Sequence, residues 1–273
     1  MTAEGRRRPA RFGIVGFGRI GRRLAERLPG TPHAPDLAAV LVQPGGEGAA
    51  SALVGQGRVC TDLSAFIALR PTVAVECASA AALATLGPAL IAAGIDLMPL
   101  SLVAFADAAT ERRLAEAATA GPGRIEIPPG AMGSLGFLAA AREDALARVV
   151  FRAAYPPQRW TGTPAALPDP GALREPAIVF HGSVREAARL FPGHVNVSVG
   201  VALAGLGLDR TEAELLADPR ITQARFEVEA EAGPGAVTFR VSGRDAPVGA
   251  DPVDYTAFSL MRLLRRRQAP LAV

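Results

Sequence analysis

The chain has no lysine: all 29 of its basic residues, among 273 in total, are arginine. That absence excludes Schiff-base lysines, a P-loop lysine and lysine general bases. Cysteine is nearly absent too. Cys60 and Cys77 have no metal or redox spacing, and the three histidines are scattered, so no metal site is expected. Aromatics make up 5% of residues and leave little on which bases could stack. The net charge of +3 comes from 29 basic and 26 acidic residues that almost balance, so no nucleic-acid partner is implied.

Long apolar runs are few. The opening "MTAEGRRRPARFG" carries no apolar core of a signal peptide, and a cytoplasmic protein is expected. From Cys77 to Ile95 there is no charge, a length that could span a membrane. The run is alanine-rich, contains Gly87, Pro88 and Gly94, and is flanked by Glu76 and Asp96. It reads instead as a strand end and a packed helix, so no membrane partner is expected.

What is present begins with "RFGIVGFGRIGRRLAERL". A short apolar strand meets the spacing G-x-G-x-x-G at Gly16, Gly18 and Gly21, then a helix from Arg19 to Leu28. Gly16 would allow the tight turn, Gly18 the approach of backbone to a pyrophosphate, and Gly21 close helix–strand packing. The helix N-terminus would face the phosphates. Arg19, Ile20, Gln43 and Ala78 complete the expected cofactor surface on this side. About 20 residues on, where an NAD site carries an acid for the ribose hydroxyls, the chain reads Val42-Gln43-Pro44-Gly45. With no carboxylate there and Arg19 in the loop, the cofactor is NAD or NADP, tilted toward NADP.

Further strands are expected at 37–42, 73–78, "DLMPLS" and "RIEIPP", alternating with helices, which argues for a doubly wound parallel sheet. After about Gly130 the pattern changes. "ARVVFRAAY" and "AIVFHG" read as strands, and Ser183-Val-Arg-Glu186 as a capping box. "HVNVSVGVALAGLG" reads as a helix. "ARFEVEAEA" and "AVTFRVSGR" alternate with period two around "GPG", as an antiparallel pair. A helix from Tyr255 to Arg267 ends in arginines that suit its dipole. The expected plan is α/β: a Rossmann domain over 1–130, an α+β domain with an open mixed sheet over 131–250, and a closing helix over 251–273 that returns to the first.

Several segments carry a resemblance: "VAVECAS", "LMPLSLVAFAD", "IEIPPGAMGSL", "FHGSVREAARLFPGHVNV" and "LLADP". Through them the chain resembles the L-aspartate dehydrogenase family from about Arg11 to Arg267. The resemblance implies a Rossmann domain plus an α/β domain whose open sheet forms a homodimer. It also implies NAD(P)-dependent interconversion of aspartate and iminosuccinate, which feeds NAD biosynthesis. By position, Ala131 matches the family's nucleotide-contacting alanine, and Asn196 the asparagine at the nicotinamide end.

The departures matter more. The family's catalytic histidine precedes a strand of the form H-E-(I/V)-E; here Phe226 stands in that place. Ala154 and Tyr155 replace a basic pair, Gly136 an aspartate, His181 an acid and His194 an asparagine. His194 is therefore the replacement base suggested by position, while His33 in "PHAPD" reads as surface. Arg159 and Arg152, flanking "YPPQRW", are the candidate guanidinium forks for a carboxylate substrate, and Trp160 would close over it or anchor the loop. Two functions remain open. One is an NAD(P)-dependent oxidoreductase acting on aspartate or a related amino acid, favouring reduction of the imine. The other is a catalytically impaired cofactor-binding homologue with a sensory or partner-binding role.

Overall fold

In the computed structural model, residues 10–143, 146–233, 235–243 and 255–271 are described. Two compact units divide the chain. The first holds the described residues through Ala104, Ala108–Gly130 and the closing helix; the second holds Phe105–Asp107 and the described residues between Ala131 and that helix.

The first unit is a five-stranded sheet with every pairing parallel, in the order β3-β2-β1-β4-β5. Its strands are β1 (Arg11–Val15), β2 (Asp36–Leu41), β3 (Val59–Cys60), β4 (Val73–Glu76) and β5 (Asp96–Pro99). The helices are α1 (Arg19–Arg27), α2 (Glu47–Val54), α3 (Leu63–Ala68), α4 (Ala80–Ala92) and α5 (Ala108–Ala120). Strands buried on both faces are largely apolar, and β4 is buried at all four residues, of which Glu76 alone is polar. The strand order reverses at β1, so the carboxyl ends of β1 and β4 open a crevice, the position where such sheets bind ligands.

Beyond the sheet, "RIEIPP" forms no strand. Only an isolated parallel bridge joins Ile125 to Leu97, and Pro128 and Pro129 have no N–H to extend a ladder. The uncharged run contains α4, and no helix among the described residues is long and apolar enough to cross a membrane.

The second unit contains α6 (Leu135–Ala141), β6 (Arg148–Tyr155), β7 (Ala177–Ser183), α7 (Val184–Leu190), α8 (Asn196–Ala204), β8 (Glu212–Ala217), β9 (Arg225–Ala232) and β10 (Gly235–Ser242). Its sheet runs β10-β9-β6-β8-β7; β6 and β8 are parallel and the other pairs antiparallel. The capping box opening α7 is present in both directions between Ser183 and Glu186. Pro234 of the expected hairpin turn, and the boundary expected at 250–251, lie outside the described residues.

The two faces of this sheet differ. Val149, Phe151, Ala153 and Tyr155 of β6 are buried on the face where α8 packs. On the other face one cross-strand row runs His181–Glu214–Arg152–Glu227–Arg240 through all five strands. Its potential charges alternate in sign at each step, the arrangement that favours cross-strand pairs.

The closing helix α9 (Tyr255–Arg266) belongs to the first unit. Leu260, Met261, Leu263 and Leu264 join Phe12, Ile14 and Leu24 in one buried cluster. Arg267 then bonds Asp96 at 2.6 Å and Glu126 at 2.8 Å, beside α9's own last turn.

Candidate functional site

The carboxyl ends of β1, β2 and β4 frame a cavity of about 610 Å³ in the first unit. Gly16, Gly18, Gln43 and Ala78 line it, together with Phe17 and Ser79. Gly16 has φ +92°, and a Cβ there would lie 2.7 Å from the Ala78 backbone, so the turn admits only glycine. A Cβ on Gly21 would lie 2.4 Å from the Gly16 carbonyl oxygen, which fixes how closely α1 meets β1. A Cβ on Gly18 would meet nothing within 4 Å. The backbone at Gly18 thus faces open cavity at the N-terminus of α1, a cradle suited to a pyrophosphate.

Two expected cofactor contacts fall elsewhere. Ile20 packs against the buried cluster, and Arg19 lies at the exposed first residue of α1; neither lines the cavity. A helix directs successive side chains 100° apart, so only part of the motif can face one ligand. No carboxylate lines the cavity beyond β2, where Gln43 and Pro44 stand. Cys60 and Cys77 are both free. Burial pushes the Cys77 thiol up to about 12, with the Glu76 charge adding to it.

Glu76 was missed by the sequence reading. It ends β4 at 1% exposure. Its Oε1 accepts from the Ala78 N–H (2.8 Å), the Ser79 N–H (3.0 Å) and the Ser101 hydroxyl (2.9 Å), and its Oε2 from the Ser101 N–H (3.1 Å). A lone acid in an otherwise apolar strand was the available signal.

In the second unit, an aromatic cluster gathers around His194. Its ring stacks on Trp160, with centroids 4.9 Å apart and planes 13° apart, and meets the edge of Tyr155 at 5.0 Å. Tyr155 donates its hydroxyl to the His194 carbonyl at 2.6 Å. The His194 Nε2 lies 2.9 Å from the Arg159 carbonyl oxygen. A carbonyl only accepts, so Nε2 carries the proton and Nδ1 is left as the ring's proton acceptor. Burial pushes the Tyr155 phenol up to about 12, against the opposing charge of Arg159. Tyr155 is therefore a neutral donor at ordinary pH.

Phe226 joins the same cluster. It packs on Phe151 at 6.0 Å and on Tyr155 at 5.9 Å. The guanidinium of Arg159 lies 6.0 Å from the Tyr155 ring centre. His194, Phe226 and Arg159 are thus brought together through Tyr155. Asn196 follows two residues after His194 as the first residue of α8, half-buried, and Ala131 lies half-buried in the turn before α6.

Three other sequence candidates lie apart. Arg152 is not a substrate fork: it points to the opposite face of the sheet and bonds Glu214, Glu227 and Glu229. Side chains alternate along a strand, so Arg152 and Tyr155, three residues apart, must face opposite ways. His181 is on that same charged face, 3.7 Å from Glu212. His33 is exposed in its loop with φ +58°.

A parallel sheet with its glycine turn at the topological switch point, joined in one chain to a mixed-sheet unit bearing this cluster, defines an oxidoreductase of the Rossmann class. The chain belongs to the aspartate dehydrogenase family. The family described as aspartate dehydrogenase, C-terminal, matches residues 137–267, and that described as homoserine dehydrogenase, NAD binding domain, matches residues 16–128. L-aspartate dehydrogenase 1 of Bordetella pertussis is 42% identical over 238 residues, covering 86% of this chain and 87% of its own. L-aspartate dehydrogenase of Cupriavidus taiwanensis is 37% identical over 268 residues, covering 95% and 98%. The solved aspartate dehydrogenase of Thermotoga maritima shares the fold, with a TM-score of 0.72 at 22% identity over 97% of this chain and 99% of that one.

Proposed function

We propose that this chain is an NAD(P)-dependent amino-acid dehydrogenase acting on aspartate or a close relative, in which His194 handles the proton that the family's histidine would handle at the Phe226 position. The observation that carries the reading is the fixed orientation of the His194 ring. One nitrogen is committed to the Arg159 carbonyl, the ring face to Trp160 and the edge to Tyr155. A base held by its other nitrogen is a recurring catalytic arrangement.

The nicotinamide cofactor, when bound, would accept or return the hydride at the substrate Cα. Gly16, Gly18, Gln43 and Ala78 would hold it, with Ala131 assigned as a further nucleotide contact and Asn196 to its nicotinamide portion. The cofactor surface beyond β2 is permissive and tilted toward NADP, because Gln43 presents no charge against a 2′-phosphate; a Gln43→Asp variant should favour NADH. In the oxidative direction, water must add to the imine carbon and surrender a proton, which His194 Nδ1 would take. Reduction of a preformed iminium needs no such base. Phe226 puts an apolar ring where an imidazole is usual, so the balance favours imine reduction. Arg159 is assigned to a substrate carboxylate.

The charged face of the second unit's sheet is assigned to a second copy of the chain. Offset by one strand, the alternating rows of two copies would set opposite charges against each other, and light scattering at micromolar concentration should read a dimer.

The test is turnover of an oxaloacetate–ammonia mixture with NADH and with NADPH, beside aspartate oxidation. Reductive turnover exceeding oxidation, and a loss of oxidation in His194→Ala much larger than its loss of reduction, supports the reading. Cofactor binding without turnover in either direction favours the impaired homologue instead, for which the phenylalanine at position 226 is the motivating residue.

A further inference from the structure

We infer that Glu76 is the positioning residue of the dinucleotide site: its carboxylate holds the Ala78–Ser79 backbone against the Gly16 turn and thereby sets cofactor affinity without touching the cofactor. The inference rests on the reading of the glycine-lined cavity as the cofactor site.

Three structural facts meet at this carboxylate. First, Ala78 and Ser79 line the cavity, and both present their backbone N–H groups to Glu76 Oε1. Second, the Ala78 backbone is the surface against which Gly16 closes its left-handed turn; nothing larger than glycine fits there. Third, Ser101 after β5 gives both its N–H and its hydroxyl to the same side chain, and the Leu100 N–H bonds the Glu76 carbonyl at 2.8 Å. One buried side chain therefore ties the ends of β4 and β5 to the start of α4, whose first turn Ser79 caps through the Ala82 N–H. A carboxylate offers two oxygens that only accept, and four donors converge on it. A glutamine would turn an N–H group toward donors, and a protonated carboxyl would do the same with its O–H.

The hydrogen-bond partners of Glu76 are neutral, and burial, the largest influence on it, holds the carboxyl above the usual carboxylate range against those hydrogen bonds. Around it, α4 carries no titratable side chain and the residues from Leu100 to Ala106 carry none. Cys77 beside it stays protonated, its thiol pushed up by burial, and the charged residues of α1 nearest the glycine turn are Arg19, Arg22 and Arg23. Any acid-side loss of cofactor affinity that depends on residue 76 is therefore its own.

The experiment measures NADH and NADPH affinity by nucleotide fluorescence on the full chain, from mildly acidic to mildly alkaline pH, with apo-protein melting recorded alongside. Glu76→Gln should weaken binding by about tenfold or more, as expected for a buried acceptor replaced by a donor. Ser101→Ala should weaken it by a smaller factor while keeping the charge. The wild type should lose affinity toward acid pH, and Glu76→Gln should lack that limb. Equal affinity of wild type and Glu76→Gln would overturn the inference, as would a lower melting temperature with the pH profile of binding unchanged. If Glu76→Gln does not fold, a wild-type profile flat toward acid pH overturns it and a sloping profile that Ser101→Ala displaces supports it. A wild type that binds neither nucleotide would overturn the cofactor reading and this inference together, whereas wild-type binding unaffected by residue 76 removes only the latter.

Discussion

The indole of Trp160 lies flat on the imidazole of His194, with 4.9 Å between ring centres. Trp160 is the only tryptophan of the chain and is fully buried. Its emission therefore reports on one histidine. The stacked imidazole covers one face of the indole, so His194→Ala should shift the Trp160 emission while leaving the melting temperature within a few degrees. Emission of the same wavelength and intensity in wild type and His194→Ala would break the link between the two rings.

Phe226 meets the same Tyr155 ring that His194 meets, its own ring centre 5.9 Å away. Phe226→His should raise aspartate oxidation more than imine reduction. General acid–base groups contribute about 10²–10⁴-fold, and partial rescue is expected, since Ala154 and Tyr155 still replace the family's basic pair. The measurement is steady-state oxidation and reduction by wild type and variant. Brisk wild-type oxidation, unchanged by Phe226→His yet lost in His194→Ala, would show that His194 already supplies the whole function.

The glycine turn separates two effects that are usually confounded. Gly18 faces open cavity, so Gly18→Val should leave melting nearly unchanged while weakening nucleotide binding by about tenfold or more. Gly21→Val drives a side chain into the Gly16 carbonyl and should lower melting by roughly 5 °C or more. Calorimetry and nucleotide titration on both variants decide this; a thermal loss in Gly18→Val matching that of Gly21→Val would refute the assignment.

Arg152 binds three glutamates at once, and its hydrogen bond and charge lower the Glu229 carboxyl. A carboxyl lowered by folding contributes stability that is complete above its unfolded value, about 4.3, and that is lost as pH falls through the lowered folded value. In Arg152→Ala that contribution is gone and Glu214, Glu227 and Glu229 repel one another. The variant should melt roughly 5 °C below wild type near neutrality, with the gap closing as pH falls below about 5. A gap independent of pH would contradict this account.

Much of the first unit was legible because its signals are local. Apolar strands, a glycine turn and a serine cap each fit within ten residues, and the strands at β1, β4 and β5 could be read from them. Strand β8 was not read. Glu212-Ala-Glu-Leu-Leu-Ala is a run of good helix formers, and it becomes a strand because β6 and β7 flank it on both sides. The elements from α2 to α3 were likewise unread, being short and weakly patterned. At the candidate site, position along the chain named His194, Phe226 and Arg159, which the structure gathers around Tyr155. It could not find Glu76, whose partners lie two, three and 25 residues away. Arg152 was misread for want of a parity count, since an odd separation along β6 puts it on the other face from Tyr155.

The closing helix has a consequence for how the molecule is made. Four side chains of α9 complete a cluster begun by Phe12 and Ile14, yet the whole second unit lies between them in the chain. During synthesis, the part of that cluster drawn from Phe12 to Met98 lacks its α9 partners until the residues from Leu260 onward have left the ribosome. The second unit, continuous from Ala131 on apart from three residues, can settle earlier. The nucleotide-binding unit is thus begun first and finished last, and a chaperone would meet it as an open sheet for most of its translation.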